Sequence, residues 1–87
     1  MAKTILVVDD EQDIRKLLQE SLEIEGYEVI TAASGLQALS KLSSMQGDQI
    51  DLILLDVNMP VMDGFTLCEK IRQQVECPIL FLTARIE

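Results

Sequence analysis

Three short, uninterrupted apolar runs, each closed by a polar residue and set apart by stretches of helical rhythm, constrain this chain more than any other feature. They are Thr4-Ile5-Leu6-Val7-Val8, ending on acids; Leu52-Ile53-Leu54-Leu55, ending on Asp56; and Pro78-Ile79-Leu80-Phe81-Leu82, ending on Thr83. A run with no polar alternation does not suit a strand with one wet face. It reads as a strand buried on both faces, the environment of a parallel sheet covered by helices. Glu28-Val29-Ile30-Thr31 is a fourth, less apolar strand, as expected nearer a sheet edge.

The segments between the strands carry a different period. Ile14, Leu17, Leu18, Ser21, Leu22 and Ile24 fall mostly on one helical stripe, and Gly26 is placed to stop that helix. Ser34 is the expected N-cap of a second helix carrying Leu36, Leu39 and Leu42 and ending at Gly47. Asp63-Gly64 opens a third, in which Leu67, Cys68, Ile71 and Val75 keep the i, i+3, i+4 rhythm until Pro78. The order βαβαβαβ predicts an α/β fold, a parallel sheet with helices on both faces and right-handed crossovers. With 87 residues there is room for one small domain. Aromatics make up only 3%, so the core must be built from Leu, Ile, Val, Ala and Met. A chain of this size hides only roughly 60–65% of its unfolded surface, so self-association is an early expectation.

Charge and residue usage exclude whole classes of function. Seven Lys and Arg against fifteen Asp and Glu give a net charge of −8, which repels nucleic-acid phosphates and anionic lipid. No direct DNA binding and no membrane association are expected. The chain has no histidine, so histidine-dependent triads, imidazole metal sites and a phosphohistidine cannot be built from it. Two cysteines outside any CxxC spacing, and an N-terminus with too short an apolar run for a signal peptide, point to a reduced cytoplasmic protein. Cys68 is expected to be buried on the third helix. Cys77, before Pro78, is expected to be exposed, and neither has a basic neighbour in prospect that would activate a thiol.

In open parallel sheets, ligands bind at the carboxyl ends of the strands. Asp9 and Asp10 close the first strand and Asp56 closes the third, so the three carboxylates converge if those strands are neighbours. Taken alone, Asp10 would be an N-cap and Asp56 a loop residue. Taken together they crowd negative charge, which must be relieved by a proton or a cation. All-oxygen ligands favour a hard divalent ion, and Mg²⁺ suits one or two carboxylates with waters and a phosphate group. A carboxylate beside such an ion can attack phosphorus and carry an acyl phosphate, and Asp56 is the expected nucleophile. Asp63-Gly64 is expected to shape the turn into the third helix rather than touch phosphate, and Met59 and Met62 to pack around that loop.

These residues resemble the receiver domain of two-component response regulators: VVDDE at 7–11, LLDVNMPVMDG at 54–64 and FLTA at 81–84, in the family's order along the whole chain. The resemblance implies a flavodoxin-like fold with strand order 2-1-3-4-5. It implies Asp56 as phosphoacceptor, Mg²⁺ held by Asp9, Asp10, Asp56 and the backbone carbonyl of Asn58, and a phosphoryl group contacted by Thr83 with the small Ala84 beside it. A histidine kinase or phosphotransfer domain is the implied partner, docking near Ile14 and Leu17. Arg15 and Lys16 are read as solvated charges. The PILFLTAR segment resembles receivers attached to winged-helix transcription factors.

The family continues with a helix, a fifth strand bearing a lysine, and a last helix. None of Lys3, Lys16, Lys41 or Lys70 follows an apolar strand, so no residue of this chain matches that lysine, and phosphotransfer is expected to be impaired. The fourth strand would then be an open sheet edge through which two copies associate. Two other functions compete with the phosphorelay module. One is a phosphorylation-incompetent receiver fragment serving as an association scaffold. The other is a haloacid-dehalogenase-like phosphohydrolase, which needs a second acid two residues after the nucleophile, where this chain has Asn58.

Overall fold

The computed structural model describes residues 2–45, 49–57 and 62–82. Over these the chain forms β1 (Thr4–Val8), α1 (Gln12–Ile24), β2 (Glu28–Ala32), α2 (Gly35–Ser44), β3 (Leu52–Asp56), α3 (Gly64–Arg72) and β4 (Ile79–Leu82). The strands pair in the order β2-β1-β3-β4, all parallel. That is the order the resemblance implied for its first four strands. Pro78 falls just outside β4 because it has no N–H for the ladder. Its carbonyl still accepts from the Ile53 N–H at 3.0 Å.

The sheet separates two apolar layers, and strand alternation assigns residues to each. Leu6 and Val8 of β1 and Ile53 and Leu55 of β3 face α2 and α3, where Ala38, Leu42, Leu67, Ile71 and Val75 complete a closed core. Ile5, Val7 and Leu54 face the other way, packed by Leu18 and Leu22 of α1. The central strands are thus buried on both faces, as the unbroken apolar runs required.

Helix ends follow local chemistry. Gly26 takes φ +95°, a left-handed conformation in which its N–H donates to the Glu23 carbonyl and that of Tyr27 to the Leu22 carbonyl. This paired geometry satisfies carbonyls at the end of α1. The Ser34 hydroxyl accepts from the Gln37 N–H at 3.1 Å, and the Gln37 side chain accepts from the Ala33 N–H at 2.9 Å, closing the start of α2 reciprocally. The expected end of α2 at Gly47 lies outside the described residues.

Several packing expectations are corrected. On α1 no residue is fully buried; Leu18 and Leu22 touch the sheet, but Leu17 is 59% and Ile24 83% exposed. Among the described residues α1 is the one helix on its face, and its contact with the sheet follows a narrow i, i+4 line that Leu17 and Ile24 flank. On α2 the buried line is Gly35, Ala38 and Leu42, so Leu36, one step round the helix from Gly35, is exposed. On β4, Leu80 and Phe81 are exposed rather than buried, because among the described strands β4 pairs only with β3. Both cysteines are half-buried and pack against the closed core. Cys77 does have a basic neighbour: the Arg72 guanidinium donates to its carbonyl at 2.6 Å. Burial nevertheless pushes the Cys77 thiol up, against the pull of the Arg72 charge, so it remains a poor thiolate. Among the described residues no helix is long and apolar enough to cross a membrane.

Candidate functional site

The register between β1 and β3 builds the site. Val8 pairs with Leu55, so the next step along both strands brings Asp9 beside Asp56. The Asp9 N–H donates to the Ala32 carbonyl at 3.1 Å, carrying the β1–β2 ladder one residue past the strand. Both carboxylates are 2% exposed, whereas Asp10 is open to solvent. Oxygens of Asp9, Asp10 and Asp56 lie within 4.8 Å of one another. The convergence expected from sequence is therefore present.

The β1–α1 turn that carries two of these acids is organised from within. The Glu11 N–H donates to Asp9 Oδ1 at 2.9 Å, a turn closed by the side chain two residues back. Glu11, not Asp10, is the N-cap of α1, and its side chain makes no capping bond. Asp10 is thus released from the capping role that competed with metal binding. Arg15, read from sequence as a solvated charge, is instead half-buried, and its Nη1 donates to the Asp9 carbonyl at 2.7 Å. Its position one turn past Glu11, whose carbonyl accepts the Arg15 N–H at 3.1 Å, was the available signal.

The electrostatics are strained. Burial raises the Asp9 pKa from its ordinary value; the Glu11 N–H pulls the other way, while the charges of Asp56, Asp10 and Glu11 push it further up. A buried acid among acids at a sheet's carboxyl edge, with oxygen donors only, fits a hard divalent cation: the ion would offset the repulsion and reward the burial.

On the far side, α3 supports the Asp56 main chain. The Asp63 side chain caps α3 by accepting from the Thr66 N–H at 2.8 Å, and Gly64 is buried against the end of β3. A Cβ at Gly64 would stand 2.5 Å from the Asp56 carbonyl oxygen and 2.8 Å from Val57 Cα, so only glycine fits there without a backbone shift. The turn-shaping role expected of Asp63-Gly64 is what these contacts describe. Met62 packs against the closed core, while Met59 lies outside the described residues, as do the site candidates Asn58, Thr83 and Ala84. Of the two docking candidates, Ile14 is half-buried and Leu17 exposed.

Comparison with known proteins places this geometry. A family model described as the response regulator receiver domain matches residues 5–87. The chain is 51% identical to the alkaline phosphatase synthesis transcriptional regulatory protein PhoP of Bacillus subtilis, over 100% of this chain and 35% of that protein. It therefore spans about a third of the length of such curated relatives. Among solved structures, the chemotaxis protein CheY4 of Vibrio cholerae matches with a TM-score of 0.89 and 40% identity, over 100% of this chain and 72% of that one. The response regulator TrrA of Thermotoga maritima, solved in complex with Mg²⁺-BeF, matches with a TM-score of 0.83 and 45% identity, over 95% of this chain and 70% of that one. A structure of the histidine kinase ThkA in complex with TrrA also matches, with a TM-score of 0.84 and 44% identity over 98% of this chain and 72% of that one.

Proposed function

The chain belongs to the response regulator receiver family, and from that membership we propose that Asp56 accepts a phosphoryl group from the phosphohistidine of a histidine kinase or phosphotransfer domain. The observation that carries the proposal is the placement of Asp56, buried beside Asp9 at the carboxyl ends of β3 and β1, with carboxylate oxygens of Asp9, Asp10 and Asp56 within 4.8 Å of each other. Such a cluster is costly for a fold to keep unless charge is brought to it.

Asp9, Asp10 and Asp56, with the Asn58 carbonyl, would hold Mg²⁺. When bound, the ion offsets the negative charge of the carboxylates and of the incoming phosphoryl oxygens. An Asp56 carboxylate oxygen forms the new bond to phosphorus as the bond from phosphorus to the donor's ring nitrogen breaks, its electron pair staying on that nitrogen. The product is an acyl phosphate on Asp56. The Thr83 hydroxyl would donate to a phosphoryl oxygen, and the small Ala84 would leave room for the donor. Leu17, exposed on α1, and Ile14 beside it offer an apolar contact to the donor domain. The domain modifies itself once and is not a turnover enzyme.

Two supports come from relatives: TrrA was solved with Mg²⁺-BeF, and with the histidine kinase ThkA. Among the described strands β4 pairs only with β3, and its other side would offer a second copy a place to pair. The reading also places the domain in the cytoplasm, in a regulator of transcription like PhoP.

Intact mass after incubation with a small phosphodonor and Mg²⁺ tests the proposal, with circular dichroism confirming the fold. One phosphoryl adduct, lost in Asp56→Asn and with a chelator, is expected. A folded chain that takes no adduct would overturn phosphotransfer for these residues and leave an association scaffold.

A further inference from the structure

We propose that Arg15 is a positioning residue for the Asp9, Asp10 and Asp56 cluster, acting through the main chain of the β1–α1 turn; the inference rests on the reading of that cluster as a cation site. Two of the three acids sit in this turn, so its conformation sets the distances between their oxygens. The usual clamp on such a turn is a side-chain cap at the helix start, and Glu11 provides none. Two other bonds do that work in opposite directions. Asp9 Oδ1 accepts from the Glu11 N–H at 2.9 Å, and the Asp9 carbonyl accepts from Arg15 Nη1 at 2.7 Å. Residue 9 is held at both its side chain and its main chain, while Asp10 between the tethers is left exposed.

The choice of residue follows from reach and charge. Helical side chains lean toward the N-terminus, so a long side chain in the first turns of α1 comes back over the preceding loop. Arginine keeps its charge at any working pH and makes a short charge-assisted bond to a carbonyl. Because this bond goes to the main chain, it leaves the carboxylate oxygens to a cation. The neighbouring Lys16 carries the same charge but is exposed, which makes it the control for charge alone.

Positioning and plain electrostatics predict opposite signs. By Coulomb's law, removing a positive charge near a cation site tightens cation binding. Loosening the turn weakens it. Wild type, Arg15→Met, Arg15→Lys and Lys16→Met are titrated with Mn²⁺ by electron paramagnetic resonance, and exchange of the Glu11 amide proton is followed without metal. Arg15→Met is expected to weaken Mn²⁺ binding about tenfold, the size of effect that loss of an outer partner has at metal sites. Its Glu11 amide should exchange faster, with Arg15→Lys in between and Lys16→Met at or slightly tighter than wild type. Should Arg15→Met fail to fold, Arg15→Lys decides, with binding about threefold weaker expected. Variants that bind as tightly as a wild type that does bind, with Glu11 exchange unchanged, would overturn the role of Arg15 alone. A wild type that does not bind Mn²⁺ would overturn the cation site and this role with it.

Discussion

The two faces of the sheet are built from equally apolar strands and end up in different states. Leu6, Val8, Ile53 and Leu55 are sealed beneath α2 and α3, whereas among the described residues Ile5, Val7 and Leu54 are covered by one helix, α1, with Leu17, Ile24 and Leu80 left in solvent around them. By alternation, Asp9 follows Ile5 and Val7, and Asp56 follows Leu52 and Leu54, so both acids belong to the α1 side, at its rim. The closed face concentrates dispersion and burial. The other carries the buried carboxylates Asp9 and Asp56 at its rim, with the exposed Asp10 beside them. Gly64 joins the two, since it brings α3 from the closed face against the Asp56 main chain.

The largest expected effect tests the asymmetry directly. Leu67→Ala, fully buried on α3, should cost about 2–5 kcal/mol in urea unfolding, a large part of a small domain's stability. Leu18→Ala on α1 should cost roughly half as much, and Leu17→Gln less than about 0.5 kcal/mol. Equal losses at Leu67 and Leu18 would mean that the α1 face is sealed in solution by another copy of the chain or another partner.

Gly64→Ala comes next and probes the link between the faces. A Cβ would force the Asp56 or Val57 backbone aside, at a cost of about 1–3 kcal/mol. The shift should also weaken the site, read as loss of the phosphoryl adduct in a chain that still folds. Adduct formation at the wild-type level would show that α3 supports the fold without setting the position of Asp56.

The smallest effect has the opposite sign. Burial and like charges raise the Asp9 pKa, so without metal the folded chain holds that proton more tightly than the unfolded one. Stability therefore declines as pH climbs from the ordinary carboxylate range through the raised value, and the loss persists at neutral pH. Asp9→Asn removes this penalty. Its urea midpoint should match wild type in acid and exceed it at neutral pH, and Mg²⁺ should narrow the gap by stabilising only the wild type. A midpoint below wild type at neutral pH without metal would show that the Asp9 charge is already compensated within the chain.

Much of this was legible residue by residue. β1 was expected as Thr4–Val8, and β3 beginning at Leu52, because an apolar run leaves a buried strand few alternatives. Ser34, Gly26 and Asp63 declared helix ends through chemistry that acts within about three residues. Leu36 was misplaced because a short helix carries apolar residues on more than one side, and only contact with the sheet selects Gly35, Ala38 and Leu42. Arg15 was missed because a charged residue on an amphipathic helix looks solvated until the loop it reaches back to has a shape.

What the sequence determined by itself is the alternation of strand and helix, the helix stops and starts, and the set of acids at strand ends, all of which depend on neighbours along the chain. The tertiary structure decided which strands lie side by side, and with that the meeting of Asp9 and Asp56 from residues 47 positions apart. It also decided which residues of α1 would meet the sheet and that Gly64 would press on Asp56. Packing and Coulomb interactions act between groups close in space, and separation along the chain does not report that distance until the crossovers are folded.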